Sequence, residues 1–145
     1  MYVPSSRRRW LLSQTVAVPM SLKYAPRTLD FVFGPQAMTP DYPIAGGGMA
    51  GLRPAHYYAT VTDFVAIGDT LPPYEARYGA IGVPVGVIFG TADRVLDYRI
   101  NGLAMAEKLR DVEIETLDGI GHMPQFVAPE RVEAFVRKIA GRAFV

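Results

Sequence analysis

The chain has 145 residues, of which half are hydrophobic and a fifth are charged, the usual composition of one globular domain. The formal net charge is +1 and there is no cysteine, so nucleic-acid binding, a disulfide framework and a thiolate metal site are not expected. The two histidines, His56 and His122, are too few for a histidine-rich metal cluster. No apolar run is long enough for a membrane-spanning helix.

Residues 1–52 are rich in proline and are predicted to form short helices and loops, without a sheet. The basic stretch Arg7–Arg9 is followed by the apolar run Trp10–Met20, which Pro19 interrupts. This order resembles a twin-arginine export signal, but no cleavage site of small residues follows it. The competing interpretation is a helix with a basic flank. We therefore expect a cytoplasmic protein, with export as the minor alternative.

Three glycines near the end of this segment have the spacing of a dinucleotide-binding fingerprint. They are Gly46, Gly48 and Gly51. The fingerprint requires a strand before the first glycine and a long helix after the last. No strand-like run precedes these glycines, and Pro54 follows almost at once, so a flexible loop is the favoured interpretation.

The hydrophobic pattern becomes regular from Pro54 onward. Apolar residues recur at spacings of three and four between Tyr57 and Gly68, which predicts an amphipathic helix. Pro54 suits its first turn, and the stretch Leu71–Pro73 is predicted to end it. The continuous β-branched run Val83–Phe89 then predicts a buried strand.

The second half of the chain continues the alternation of helix and strand. A helix of about three turns is predicted from Leu96 to near Leu109, and the stretch Val112–Leu117 is predicted to be a second strand. Pro129 begins a final amphipathic helix. A strand, a crossover helix and a strand of these lengths imply a parallel pair with helices packed on it. The predicted fold class is therefore α/β.

Polar motifs follow both predicted strands at the point where each strand ends. "GTADRV" (Gly90–Val95) follows the first strand, and "GIGHMP" (Gly119–Pro124) follows the second. Because neighbouring parallel strands end at the same edge, Asp93 and His122 are expected to meet there, where open α/β sheets bind ligands. A histidine that acts as a general base needs its second ring nitrogen hydrogen-bonded, and a carboxylate can do this.

The two stretches that carry these motifs resemble the C-terminal part of α/β-hydrolase-fold enzymes of the esterase, lipase or haloperoxidase-like group. They are "IGVPVGVIFGTADRVLD" (81–97) and "LDGIGHMPQFVAPERVEAFV" (117–136). In that family the acid of a nucleophile–histidine–acid triad follows one strand, and the histidine follows the next. The resemblance implies Asp93 as the acid and His122 as the base, and it implies no metal and no organic cofactor.

The resemblance also implies a division of the chain. Residues 53–145 correspond to the C-terminal core portion of the hydrolase fold, which is a short parallel strand pair flanked by helices. Residues 1–52 correspond more weakly to a partial cap or lid, mostly helical and loop-rich. The implied substrate is a small apolar ester, and Met123 and Phe126, close to the base, are expected to contact it.

The chain departs from the family at the nucleophile. The family carries it on a strand–turn–helix elbow, G-x-S-x-G, well before the acid. The four serines of this chain do not lie in such a context; they are Ser5, Ser6, Ser13 and Ser21. We therefore expect the acid and base of an enzyme without its nucleophile, inactive alone. The alternative is a non-catalytic remnant that folds or acts only with a partner or a second copy, by self-association through an exposed sheet edge.

Overall fold

A computed structural model describes residues 3–144, which form two compact units. The first unit consists of residues 3–27 and 40–76, and the second consists of residues 28–39 and 77–144. The predicted division of the chain into a partial cap (1–52) and a hydrolase core portion (53–145) stays a prediction.

The first unit is helical. Its helices are α1 (Ser6–Thr15), the first part of α2 (Ala17–Phe33) and α3 (Pro54–Glu75), with a 3-10 helix at Gly48–Leu52. The Ser5 hydroxyl caps α1 by accepting the backbone N–H of Arg8, which gives one of the unpaired donors of the first turn a partner.

A buried arginine joins α1 to α3. Arg9 is only 7% exposed, yet its side-chain nitrogens Nε and Nη1 have hydrogen-bond acceptors. It donates to Thr62 Oγ1 at 3.1 Å and to the carbonyl oxygens of Val3 and Pro4 at 2.8 and 2.7 Å. The guanidinium also lies over the ring of Tyr58. These contacts offset the cost of removing the charge from water.

The prolines of this region interrupt the helices less than predicted. Pro19 lies in the first turn of α2, where a helix leaves backbone N–H groups unpaired anyway. Pro26 lies in the interior of α2, and Pro72 and Pro73 lie in the last turn of α3 instead of ending it before Glu75. The prediction of short helices is wrong for α2, which has 17 residues.

The second unit contains a parallel sheet of two strands, as predicted. The strands are β1 (Val85–Gly90) and β2 (Val112–Leu117), paired from Val85 with Val112 to Gly90 with Leu117. The other elements of this unit are the 3-10 helix Tyr78–Ala80, α4 (Tyr98–Asn101), the 3-10 helix Leu103–Glu107, α5 (Pro124–Val127) and α6 (Pro129–Ala143).

The crossover between the strands is not the three-turn helix that the sequence predicted. It is split into α4 and a 3-10 helix at Gly102, whose backbone has φ −111° and ψ −71°. A Cβ at this position would lie 2.9 Å from the ring of Phe89 on β1. The crossover can pack closely on the strand because a glycine stands at the contact.

Strand β1 begins two residues later than predicted and is half-buried instead of fully buried. Pro84 has no N–H, and the first ladder bond is donated by Val85 to the Asp111 carbonyl at 2.9 Å. Helix α6 covers one face of the strand, where Phe135 and Ile139 lie against Gly86. Among the described residues, β1 has a neighbouring strand on one side only, which explains its exposure.

Candidate active site

His122 and Asp93 form a hydrogen-bonded pair beyond the carboxyl ends of the two strands. The distance from His122 Nδ1 to Asp93 Oδ2 is 2.8 Å. The Asp93 side chain is 2% exposed and the His122 side chain is 30% exposed. The structure therefore brings together the two residues that the sequence placed at one sheet edge. Their catalytic role stays a prediction.

A tight turn holds the Asp93 carboxylate in place. Its second oxygen, Oδ1, accepts the backbone N–H groups of Val95 at 2.7 Å and Leu96 at 3.0 Å. Burial by itself would raise the pKa of Asp93, but the hydrogen bonds from Leu96, His122 and Val95, together with the charge of His122, hold this pKa below its ordinary value of 3.8. The carboxylate is therefore ionised at neutral pH.

The charge of Asp93 determines which nitrogen of His122 carries the proton. An ionised carboxylate can only accept a hydrogen bond, so the shared proton must lie on Nδ1 of His122. In the neutral ring, Nε2 then has a free lone pair, and no residue in the described part of the chain hydrogen-bonds to it. This is the tautomer that a histidine needs to act as a general base through Nε2.

Thr91 connects the loop that carries Asp93 (91–97, called the acid loop after the predicted role of Asp93) to the loop that carries His122 (118–123, called the base loop after the predicted role of His122). Its backbone N–H donates to the Leu117 carbonyl at 3.0 Å and so extends the ladder between the strands. Its hydroxyl donates to Asp118 Oδ1 at 3.0 Å and accepts the N–H of Gly119 at 2.9 Å. Gly119 has φ +69°, a conformation that favours glycine. Both the backbone and the side chain of Thr91 therefore hold the two loops together.

A second contact between the loops depends on the absence of a side chain at Gly90. The N–H of Ala92 donates to the Ile120 carbonyl at 2.9 Å. A Cβ added to Gly90 would lie only 2.1 Å from the same carbonyl oxygen. Any other residue would push the base loop away from the end of β1.

A third segment, residues 33–36, lies against the base loop. Nε2 of Gln36 donates to the Gly119 carbonyl at 2.7 Å, and Oε1 of Gln36 accepts the N–H of Gly121 at 2.9 Å. A Cβ on Gly121 would lie 2.2 Å from the Gly34 carbonyl oxygen. Gln36 is not among the residues that the sequence predicted for this site, because no local pattern connects a residue of the predicted cap to a turn more than 80 positions later.

The two predicted substrate contacts lie on either side of the start of α5. Met123 is half-buried and directly precedes the helix. The ring of Phe126 lies 6.0 Å from the ring of Phe33, which is completely buried. A cavity of about 260 Å³ beside His122 is lined partly by Pro124 but not by Met123 or Phe126. Their contact with substrate stays a prediction.

Residues 3–144 contain no group of three histidine, cysteine, aspartate or glutamate side chains arranged to hold a metal ion. The helices within the same residues are too short or too polar to cross a membrane.

Comparison with known proteins shows a likeness of fold. No protein-family model matches the sequence, and no curated protein matches it. Among solved structures, the chain is similar to the crystal structure of a membrane phospholipase A, described as a novel bacterial virulence factor. The TM-score is 0.58 and the sequence identity is 24%, over 79% of this chain and 37% of the phospholipase. The chain thus spans little more than a third of that protein, and at this identity the likeness concerns the fold alone.

Proposed function

We propose that this chain carries the base and the acid of an α/β-hydrolase-type active site that cleaves an ester or a similar small acyl substrate. The observation that carries the proposal is the 2.8 Å hydrogen bond from His122 Nδ1 to Asp93 Oδ2. In the proposed reaction a nucleophile attacks the substrate carbonyl. His122 Nε2 takes the proton of the nucleophile and then delivers it to the leaving group, while Asp93 orients the ring and stabilises the imidazolium.

The surroundings of the pair support an apolar acyl substrate. The cavity beside His122 is lined by Ile88, Phe89 and Val132 as well as by polar groups, which is typical of small-molecule sites. The structure with the similar fold is that of a phospholipase A. Met123 and Phe126 are proposed to contact the substrate after the cavity is completed by the nucleophile-bearing part.

The proposed nucleophile does not come from the unit that contains His122 and Asp93. Residues 28–39 and 77–144 contain neither serine nor cysteine. In the other unit, Ser13 is 1% exposed and its hydroxyl donates to the Trp10 carbonyl at 2.6 Å, so it is not available for attack. We propose that a serine on a strand–turn–helix elbow outside these 145 residues completes the triad.

The proposal is tested with the longest reading frame that contains this chain, assayed on short p-nitrophenyl esters. If an in-frame G-x-S-x-G elbow precedes the chain, we expect turnover that falls by about 10³-fold or more in His122→Ala and Asp93→Asn. His56→Ala is the matched control, since His56 is the other histidine of the chain and is exposed on α3. Full turnover in His122→Ala would contradict the proposed base.

The 145-residue chain is assayed alongside and is expected to be inactive. Turnover by this chain alone that disappears in His122→Ala would show that it holds its own nucleophile. Turnover that persists in His122→Ala would instead indicate hydrolysis by an unrelated group or a contaminant, and it would not count for the triad.

A second candidate function is supported by the open sheet. The described strands form a sheet of only two members, and Val83, next to β1, is 61% exposed. Such a pair is marginally stable by itself and can accept a further strand from another chain. A non-catalytic remnant that associates with a partner or a second copy would have a sedimentation coefficient that rises with concentration. It would also come from a reading frame without the serine elbow.

A further inference from the structure

We infer that Gln36 is a positioning residue for His122, because its side-chain amide holds the turn that carries this histidine. The amide nitrogen donates to the Gly119 carbonyl at 2.7 Å, and the amide oxygen accepts the Gly121 N–H at 2.9 Å. Gly121 is the residue directly before the proposed base. The importance of this role rests on the proposed function of His122, but the contact itself can be tested without turnover.

The geometry of the contact is that of a strand residue. In a parallel ladder, one residue donates its N–H to a carbonyl of the neighbouring strand and accepts an N–H two residues further along that strand. The primary amide of glutamine has the same donor and acceptor as a peptide group. Gln36 therefore bonds Gly119 and Gly121 as one residue of an additional strand would, at a place where the chain is a loop.

The segment that bears Gln36 is itself anchored next to the base loop. The Gln36 N–H donates to the Phe33 carbonyl at 3.1 Å, and Phe33 is completely buried. The Phe33 ring lies 6.0 Å from Phe126, four residues after His122. On the other side, Gly121 approaches the Gly34 carbonyl so closely that no Cβ fits. The segment thus contacts the chain on both sides of the histidine.

Gln36 and Thr91 hold different parts of the same turn. Thr91 accepts the Gly119 N–H and orders the beginning of the turn. The Gly121 N–H, one residue before His122, is bonded to Gln36. Loss of the Gln36 amide would leave the beginning of the turn in place and free the backbone next to the histidine. The expected consequence is a longer or less populated hydrogen bond from His122 to Asp93.

The test uses NMR spectroscopy on the 145-residue chain and two matched substitutions. Gln36→Met keeps the size of the side chain and removes both hydrogen bonds. Gln14→Met makes the same change in the other unit, where the Gln14 amide donates to Ser13 Oγ at 3.2 Å. Three signals are measured: the downfield Nδ1–H resonance of His122, the carboxyl ¹³C titration of Asp93 and the exchange rate of the Gly121 amide. His56→Gln assigns the histidine resonances.

In Gln36→Met we expect the Nδ1–H resonance to broaden or disappear and the pKa of Asp93 to rise toward 3.8, because the bond from His122 is one of the causes that lower it. The Gly121 amide should exchange roughly 2- to 10-fold faster. Gln14→Met should change none of the three. Gln36→Glu keeps an acceptor for Gly121, but only its protonated form can also donate to the Gly119 carbonyl. It should therefore restore the slow exchange of the Gly121 amide at acid pH and not at neutral pH, a pattern that a loss of general stability would not give.

The inference is wrong if Gln36→Met and Gln14→Met give the same three signals as the unsubstituted chain. It is also wrong if the unsubstituted chain shows no downfield Nδ1–H resonance for His122 at low temperature, because there would then be no ordered pair to position. These outcomes are independent of ester hydrolysis. An intact pair that responds to Gln36→Met, in a reading frame without activity, would reject the proposed function and retain the inference.

Discussion

Nδ1 of His122 lies 2.8 Å from Oδ2 of Asp93, although the two residues are 29 positions apart along the chain. The parallel register that pairs Gly90 with Leu117 explains how they meet. Asp93 follows the first of these residues by three positions, and His122 follows the second by five. The end of each strand therefore places one of the two residues at the same edge of the sheet. Hydrogen bonds between the two loops hold the residues close to each other there.

Protonation of Asp93 should weaken the fold at acid pH. Its folded-state pKa is lower than the ordinary value of 3.8, so the ionised side chain stabilises the fold above that value, and this contribution is lost as the pH falls through the lower folded-state pKa. Asp93→Asn should cost about 2 kcal/mol at neutral pH, because charge-assisted hydrogen bonds are lost. The difference from the unsubstituted chain should shrink below pH 3.8. Urea unfolding across pH tests this, with exposed Asp69 replaced by asparagine as the control.

A methyl group at Gly121 should loosen the base loop. Its Cβ would lie 2.2 Å from the Gly34 carbonyl oxygen, and backbone on both sides would have to move, at a cost of about 1–3 kcal/mol in the free energy of unfolding. Gly141→Ala is the matched control. Its Cβ meets nothing within 4 Å and lies inside α6, where alanine should stabilise the helix by about 0.5–1 kcal/mol. Effects of equal sign in the two variants would contradict the packing observed at Gly121.

Replacement of Thr91 by valine should weaken the contact between the acid loop and the beginning of the base loop. The change keeps the shape of the side chain but removes its bonds to Asp118 and to the Gly119 N–H. The expected cost is about 1–2 kcal/mol, since the amide loses its partner. Thr70→Val is the control because the Thr70 hydroxyl donates only within its own helix, to Ala66. Denaturant midpoints that fall equally in both variants would argue against a special role for Thr91.

The stability of the first unit should depend on Arg9 far more than on its exposed neighbour Arg8. Arg9→Met keeps much of the apolar stem but leaves two carbonyl oxygens and the Thr62 hydroxyl with fewer partners. We expect a loss of about 2 kcal/mol in the free energy of unfolding. Arg8→Met, on the exposed side of α1, should change it by no more than about 0.5 kcal/mol. Equal losses in circular dichroism melts would contradict the buried role of Arg9.

The sequence predicted the elements whose signals are local. The β-branched run near Val85, the alternating run Val112–Leu117 and the proline that begins α6 each appear where expected, to within two residues. Local signals failed at two other positions. The crossover helix is interrupted at Gly102, where the ring of Phe89 leaves no room for a Cβ, and Pro26 stands inside a helix that the sequence was expected to break.

The sequence alone determined which two residues could meet at the sheet edge, because strand order and loop position depend on hydrophobic periodicity and on glycines that lie close together in the chain. Tertiary structure alone decided how that pair is held. Gln36 reaches Gly119 and Gly121 across 83 and 85 positions, and the tautomer of His122 follows from the charge that nearby N–H groups maintain on Asp93. Hydrogen bonds between distant segments exist only after the chain has folded, so no pattern of neighbouring residues records them.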